Sequence, residues 1–255
     1  MSRRRVAGIG AGVTFPAAVV ALWWVLSADS TSLYFPPLEQ MLDAFKTNWF
    51  GSNFADLAVP TLVRAAVGMA LAFVLGVGLG ALVGLSPRFG AWVRPELEFM
   101  RALPPILILP PMLLILGTGD SMKVAVVALS AMWPILLATT DGVRSVEPVR
   151  RDMGAVFGLP WSARLRHIVL PTAVPHVWSG VRAATPIAFV VLVASEYYAS
   201  TNGIGYFISQ TSTSFRLADM WSAVLLLGVI GVVVNGAIAI VGHRLDRRFG
   251  EHASE

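Results

Sequence analysis

The chain contains no cysteine. That excludes a disulfide framework, a thiol nucleophile and a cysteine-based metal site. Charge is scarce as well. Charged residues make up 13% of the 255 positions, against about 25% in a soluble domain. No Gly-x-x-x-x-Gly-Lys-Ser/Thr loop is present, so the chain does not bind ATP by that route. His-Glu-x-x-His and Gly-x-Ser-x-Gly are also missing. The histidines His167, His176, His243 and His252 fall in or near polar ends without ligand-like spacing, which reads as solvation. Nothing points to an enzyme, and neither a metal site nor a cofactor held by this chain is expected. Solenoid-period repeats, low-complexity tracts and long linkers are lacking too. One domain over residues 1–255 is expected, with its core at about 57–243.

What the chain has in abundance is apolar surface. Hydrophobic residues make up 56% of it and the mean hydropathy is +0.70. The surplus must face lipid. The expected fold is therefore all-α and polytopic, with six transmembrane helices. The first run, Val6 to Ser27, carries no charge and ends in Trp23-Trp24. It exceeds the apolar core of a signal peptide, about 7 to 15 residues, so a spanning helix kinked near Pro16 is preferred. Leu57–Leu85, Glu96–Gly117, Val124–Ala138, Val177–Ala199 and Met220–Val241 supply the others. Between the first two, Leu38 to Phe50 has the period of a short helix, which suits an interfacial or a plain surface helix equally.

Two runs carry irregularities. Gly76, Gly80 and Gly84 share one helix face, which permits close helix approach and reads as packing. Glu96–Gly117 is broken by Pro104-Pro105 and Pro110-Pro111. Broken helices at membrane depth are tolerated beside protein or a water-filled cavity. A pathway liner and a kinked packing helix both remain open for it.

The cations are unevenly placed. An even number of spans puts both termini on one side. With that side cytoplasmic, Arg3, Arg4, Arg5, Arg88, Arg94, Arg101, Arg144, Arg150, Arg151, Arg164, Arg166, Arg244, Arg247 and Arg248 fall inside. Only Lys46, Lys123 and Arg216 fall outside, and Arg64 and Arg182 sit at span ends. The net charge of +4 thus reads as membrane orientation, with both termini cytoplasmic, and not as nucleic-acid binding.

Residues 145–176 form the most informative stretch. It is polar and basic yet lies between apolar runs, so it stands in water and can meet a soluble partner. Gly158, Ile168 and Leu170-Pro171 have the spacing of the cytoplasmic signature of ABC importer permeases. Asp152, Met153 and Gly154 replace that signature's Glu-Ala-Ala. Phe35-Pro36-Pro37, Arg101-Ala-Leu-Pro104-Pro105, Leu109-Pro110, Gly142-Val-Arg144, Gly180-Val-Arg182 and Glu196 before Gly203-Ile-Gly205 extend the likeness from about Tyr34 to Val241. The chain resembles the nitrate/sulfonate/taurine branch of these permeases.

The resemblance implies a methionine-importer-like (type I) permease fold in a bacterial inner membrane. It implies a second copy of the permease, two cytoplasmic ATPase subunits that use ATP and magnesium, and an extracytoplasmic substrate-binding protein. The implied cargo is a small solute such as a sulfonate, nitrate or another organic anion. The ATPase-coupling set is Asp152, Gly154, Ala155, Val156, Phe157, Gly158, Leu159, Trp161, Arg164, Leu165, Ile168, Leu170 and Pro171, with Val156, Phe157 and Leu165 as apolar anchors. Candidate pathway residues are Pro104, Pro105, Trp133, Glu196 and Asn235. Glu196 is an ionisable group near the outer end of a span. A translocation role stands open for it beside snorkelling to the outer interface or a pairing with Arg216, and Asn235 reads more readily as a tie between helices than as a pathway residue. An ion-driven secondary carrier is the alternative function. The near absence of mid-span charge counts against it.

Overall fold

A computed structural model of the chain describes residues 18–32 and 34–249, and every regular element among them is helical. The helices are α1 (Ala18–Ser27), α2 (Leu38–Trp49), α3 (Val59–Leu85), α4 (Pro87–Ala102), α5 (Leu109–Leu116) and α6 (Asp120–Arg144). They continue with α7 (Pro148–Val156), α8 (Trp161–Arg164), α9 (Leu170–Ala199), α10 (Ile204–Thr213) and α11 (Leu217–Phe249). Wide π turns at Phe54–Ala58 and Leu165–Val169 lead into α3 and α9. Each comes just before a proline, Pro60 or Pro171, whose ring excludes an ordinary i→i−4 bond.

The core is a three-helix stack with α6 in the middle. In its apolar window 61% of residues are buried, against 28% for the α3 span and 11% for α11. α3 turns Ala65, Gly68, Ala72, Gly76, Gly80 and Gly84 toward α6, a spacing of three and four that keeps one stripe inward. The expected close approach is there. A Cβ at Gly76 would lie 2.8 Å from Ile135 Cβ, and one at Gly80 2.5 Å from the Leu136 carbonyl oxygen. Thr140 donates a hydrogen bond to the Gly80 carbonyl at 3.1 Å. On the far side of α6, Gly180 brings α9 against Pro134, Ile135 and Ala138. Large side chains then fill the interior: Val127, Ile135 and Leu192 are fully buried. The outward faces of α3 and α11 stay apolar and exposed, as lipid demands.

Four described helices are long and apolar enough to cross a membrane, or five if one bent pair counts as a single span. The expected Val6–Ser27 span appears only as Ala18–Ser27, and the basic tip, Pro16 and His252 lie outside the described residues. The expected Glu96–Gly117 span is two helical pieces that meet at 93° around Pro104. Leu103 and Pro104 are extended, with ψ of 128° and 127°, because a residue before proline is driven out of the α region. The Ser/Thr-rich stretch after Gly203 folds as α10, whose Ile204, Phe207 and Thr211 are buried. Within residues 145–176, the helical stretch that runs on into the fifth span begins at Trp161.

Candidate functional site

α3 and α6 run parallel, Gly68 meeting Val127 and Gly84 meeting Val143, and α9 runs against them, so the bundle has two ends. At one end α7 and α8 connect α6 to α9. α7 stops in a glycine cap. Gly158 has φ +64°, its N–H reaches the Ala155 carbonyl, and the Leu159 N–H reaches the Gly154 carbonyl, both at 3.0 Å. This pairing closes a helix where a left-handed residue follows the last turn. Pro160 then prevents continuation and starts the next turn at Trp161.

The two halves of the signature touch. Gly154 is buried, and a Cβ there would lie 3.0 Å from Ile168 Cδ1 and 3.2 Å from Arg164 Cγ. Glycine in place of alanine therefore seats α7 closely on the start of the long helix. Leu165 and Ile168 are half-buried beneath it and line a groove of about 280 Å³ with Gly84, Val143, Trp161 and Arg164. Pro171 is half-buried, and Leu170 is exposed. Facing away from the bundle, Val156 is 84% exposed, Phe157 74% and Trp161 62%. Asp152, Ala155 and Leu159 are exposed as well. Val149 and Met153 join this outward apolar row, although sequence reasoning passed over them. Their spacing with Val156, four residues and then three, was the available signal. Of the expected anchors, Val156 and Phe157 are free to meet a partner, while Leu165 packs inward.

At the other end sits a buried ion pair. Glu196 is fully buried and Arg64 is 4% exposed, and Arg64 Nη1 donates to Glu196 Oε1 at 2.7 Å. Thr61 Oγ donates to the same carboxylate at 2.8 Å, and the Gly205 N–H donates at 3.1 Å. Arg64 also donates to Asp120 at 2.9 Å and to the Asn202 side chain. The Ile204 N–H closes the set on Thr61 Oγ at 2.9 Å. Gly203, at φ +109°, leaves room for the carboxyl, since a Cβ there would stand 2.5 Å from Glu196 Cδ. Glu196 thus ties α3, α9 and the start of α10 together. It is not paired with Arg216, which bonds Asp219 at 2.8 Å.

The remaining pathway candidates separate. Trp133 is half-buried against the central core. Pro104 and Pro105 form the corner of the 93° bend, next to Ile106. Asn235 and Ile106 line an open groove of about 850 Å³ between α9 and α11. Glu196 does not line it. Among the described residues no cluster of three His, Asp or Glu could hold a metal ion.

A stack of lipid-length helices that presents a short apolar-faced helix at one end defines a class: the transmembrane subunit of a transporter. The chain belongs to the family of binding-protein-dependent transport system inner membrane components, whose model matches residues 72–251. It is 26% identical to the putative aliphatic sulfonates transport permease SsuC of Bacillus subtilis, over 92% of this chain and 86% of that one. It is 28% identical to the nitrate import permease NrtB of Synechocystis, over 88% and 85%. With the taurine permease TauC of Escherichia coli the identity is 26%, over 92% and 88%. Among solved structures, an inward-facing MetNI methionine ABC transporter chain matches with a TM-score of 0.63 at 17% identity, covering 83% of this chain and 98% of that one. The methionine-importer-like permease fold is thereby established. The protein is an ABC importer permease of the inner membrane, in the nitrate, sulfonate and taurine branch, and its relatives are transport subunits rather than enzymes.

Proposed function

We propose that this chain forms the translocation route for a small anion, of the sulfonate, nitrate or taurine kind, in an ATP-driven importer. A substrate-binding protein delivers the anion at the Arg64 end of the bundle, and a second copy of the permease completes the route. Two ATPase subunits, using ATP and magnesium, dock on residues 152–171 at the cytoplasmic end. Both termini share that side. One observation carries the reading: Met153 and Val156 stand exposed on a glycine-capped helix between two long spans, and Phe157 and Trp161 are exposed just beyond its end. Large apolar side chains in that setting suit a groove on a partner. α7 is seated on the α9 span through Gly154 and Ile168, so a push on α7 moves α9.

The test is co-purification of the tagged chain with the ATPase encoded beside it, comparing wild type with Val156→Asp and Phe157→Asp. Neither side chain supports the core, so both variants should remain in the membrane. Each is expected to weaken ATPase capture by roughly tenfold or more, the worth of one large apolar contact. Retention of the ATPase at wild-type level by both variants would refute docking on α7. Wild type that holds no ATPase, yet moves solute in liposomes under an ion gradient, would replace the importer with a secondary carrier.

A further inference from the structure

Arg182 is the cation that the buried network leaves out. It lies on α9 and lines the groove of about 850 Å³ between α9 and α11. The rest of that lining is apolar or uncharged, including Phe189, Val193 and Tyr197 from α9 and Asn235 from α11. Arg182 makes no ion pair or hydrogen bond with any described residue. Arg64, by contrast, has Glu196, Asp120 and Asn202 around it.

The guanidinium lies against α11. Its Nη2 lies so close to α11 that a Cβ at Gly242 would stand 2.8 Å away, and the same Cβ would stand 2.8 Å from the Trp178 indole. Trp178 is fixed in turn by donating Nε1–H to the Ile238 carbonyl at 2.9 Å. The side chain leans back toward Trp178, the direction a helical residue takes. Its own Cα is two residues beyond Gly180, which packs on Pro134 and Ile135 in the middle reaches of α6. Arg182 is exposed, its guanidinium stands at the level of Gly242 near the end of the last span, and it is the one charge among the residues lining an otherwise uncharged groove. A guanidinium fork matches two oxygens of a planar or tetrahedral oxyanion.

We infer that Arg182 is the anion-selecting residue of the route, and that the α9–α11 groove passes a small oxyanion between Arg182 and Tyr197. This rests on the importer reading above. The two residues are fifteen positions apart on one helix, which is about 22 Å and most of a bilayer's hydrocarbon thickness. One cation, rather than a cage of them, lets the anion enter and leave. Asn235 and the Tyr197 hydroxyl supply uncharged polar contacts along the way, and the apolar remainder suits the alkyl part of a sulfonate. Gly242 is a positioning residue that keeps space for the guanidinium.

The experiment is thermal unfolding of the purified chain in detergent, with sodium ethanesulfonate or sodium nitrate against choline chloride at equal ionic strength. Near-saturating ethanesulfonate should raise the wild-type midpoint by roughly 2–4 °C. Arg182→Gln should lose the rise, Arg182→Lys should keep part of it, and Gly242→Ala should diminish it by displacing the fork. Arg182→Lys also guards against a folding defect in the glutamine variant. A phospholipid phosphate offers the same oxyanion chemistry, so a parallel arm adds phosphatidylglycerol. A rise seen only with that lipid, an equal rise in Arg182→Gln, or no rise in wild type would each overturn the inference. Arg182→Gln should still capture the ATPase. An ATPase-bound chain indifferent to anions would refute only this inference, whereas a chain that binds no ATPase would refute the importer reading itself.

Discussion

Arg64 and Glu196 face each other inside the bundle with almost no water access. Taking two charges out of water is expensive, and removing one partner leaves the other buried and unpaired. Arg64→Ala and Glu196→Ala are each expected to destabilise the chain by about 3–5 kcal/mol. The double variant should lose less than the sum, measured by denaturant unfolding in detergent as a double-mutant cycle. Asp120→Ala should do little, because that side chain is 73% exposed. Gly158 is the other position where one residue decides local structure. Its φ of +64° suits glycine, so Gly158→Ala should cost about 1 kcal/mol. With open space around it, the loss comes from backbone strain and not from a clash.

At the scale of elements, α3 and α6 depend on how closely their backbones approach. Gly80→Leu would drive a side chain into the Leu136 carbonyl and Thr139. Overpacking of this kind costs about 1–3 kcal/mol, and more where backbone cannot move. Gly78→Leu on the same helix meets open space and should be tolerated. The pair can be compared by the yield of folded chain after detergent extraction. The glycine face was legible in the sequence because it recurs every four residues. The family signature was legible because Gly158 and Ile168-x-Leu170-Pro171 keep a fixed local spacing. The Arg64–Glu196 pair was not legible, because 132 residues separate the partners and no periodicity links them. The prolines announced a break near Pro104, but the 93° angle is set by tertiary packing. α10 was hidden by its Ser/Thr-rich composition, which resembles a loop until Ile204, Phe207 and Thr211 are seen to share a buried stripe.

For the whole molecule, the two ends of the bundle have different work. The Arg64 end is tied by buried charge, and the α7 end offers exposed apolar surface. In the proposed orientation, which the cation asymmetry supports, the α7 end faces the cytoplasm. The chain lacks cysteine, so single cysteines can be introduced without removing any native thiol. The measurement that tests the account most directly is maleimide labelling of Phe157→Cys in inside-out membrane vesicles, with and without the co-expressed ATPase. The position is 74% exposed on the chain alone. The account predicts labelling from the cytoplasmic face that is strongly suppressed when the ATPase is present. Labelling only from the opposite face, or labelling that the ATPase leaves unchanged, would contradict it.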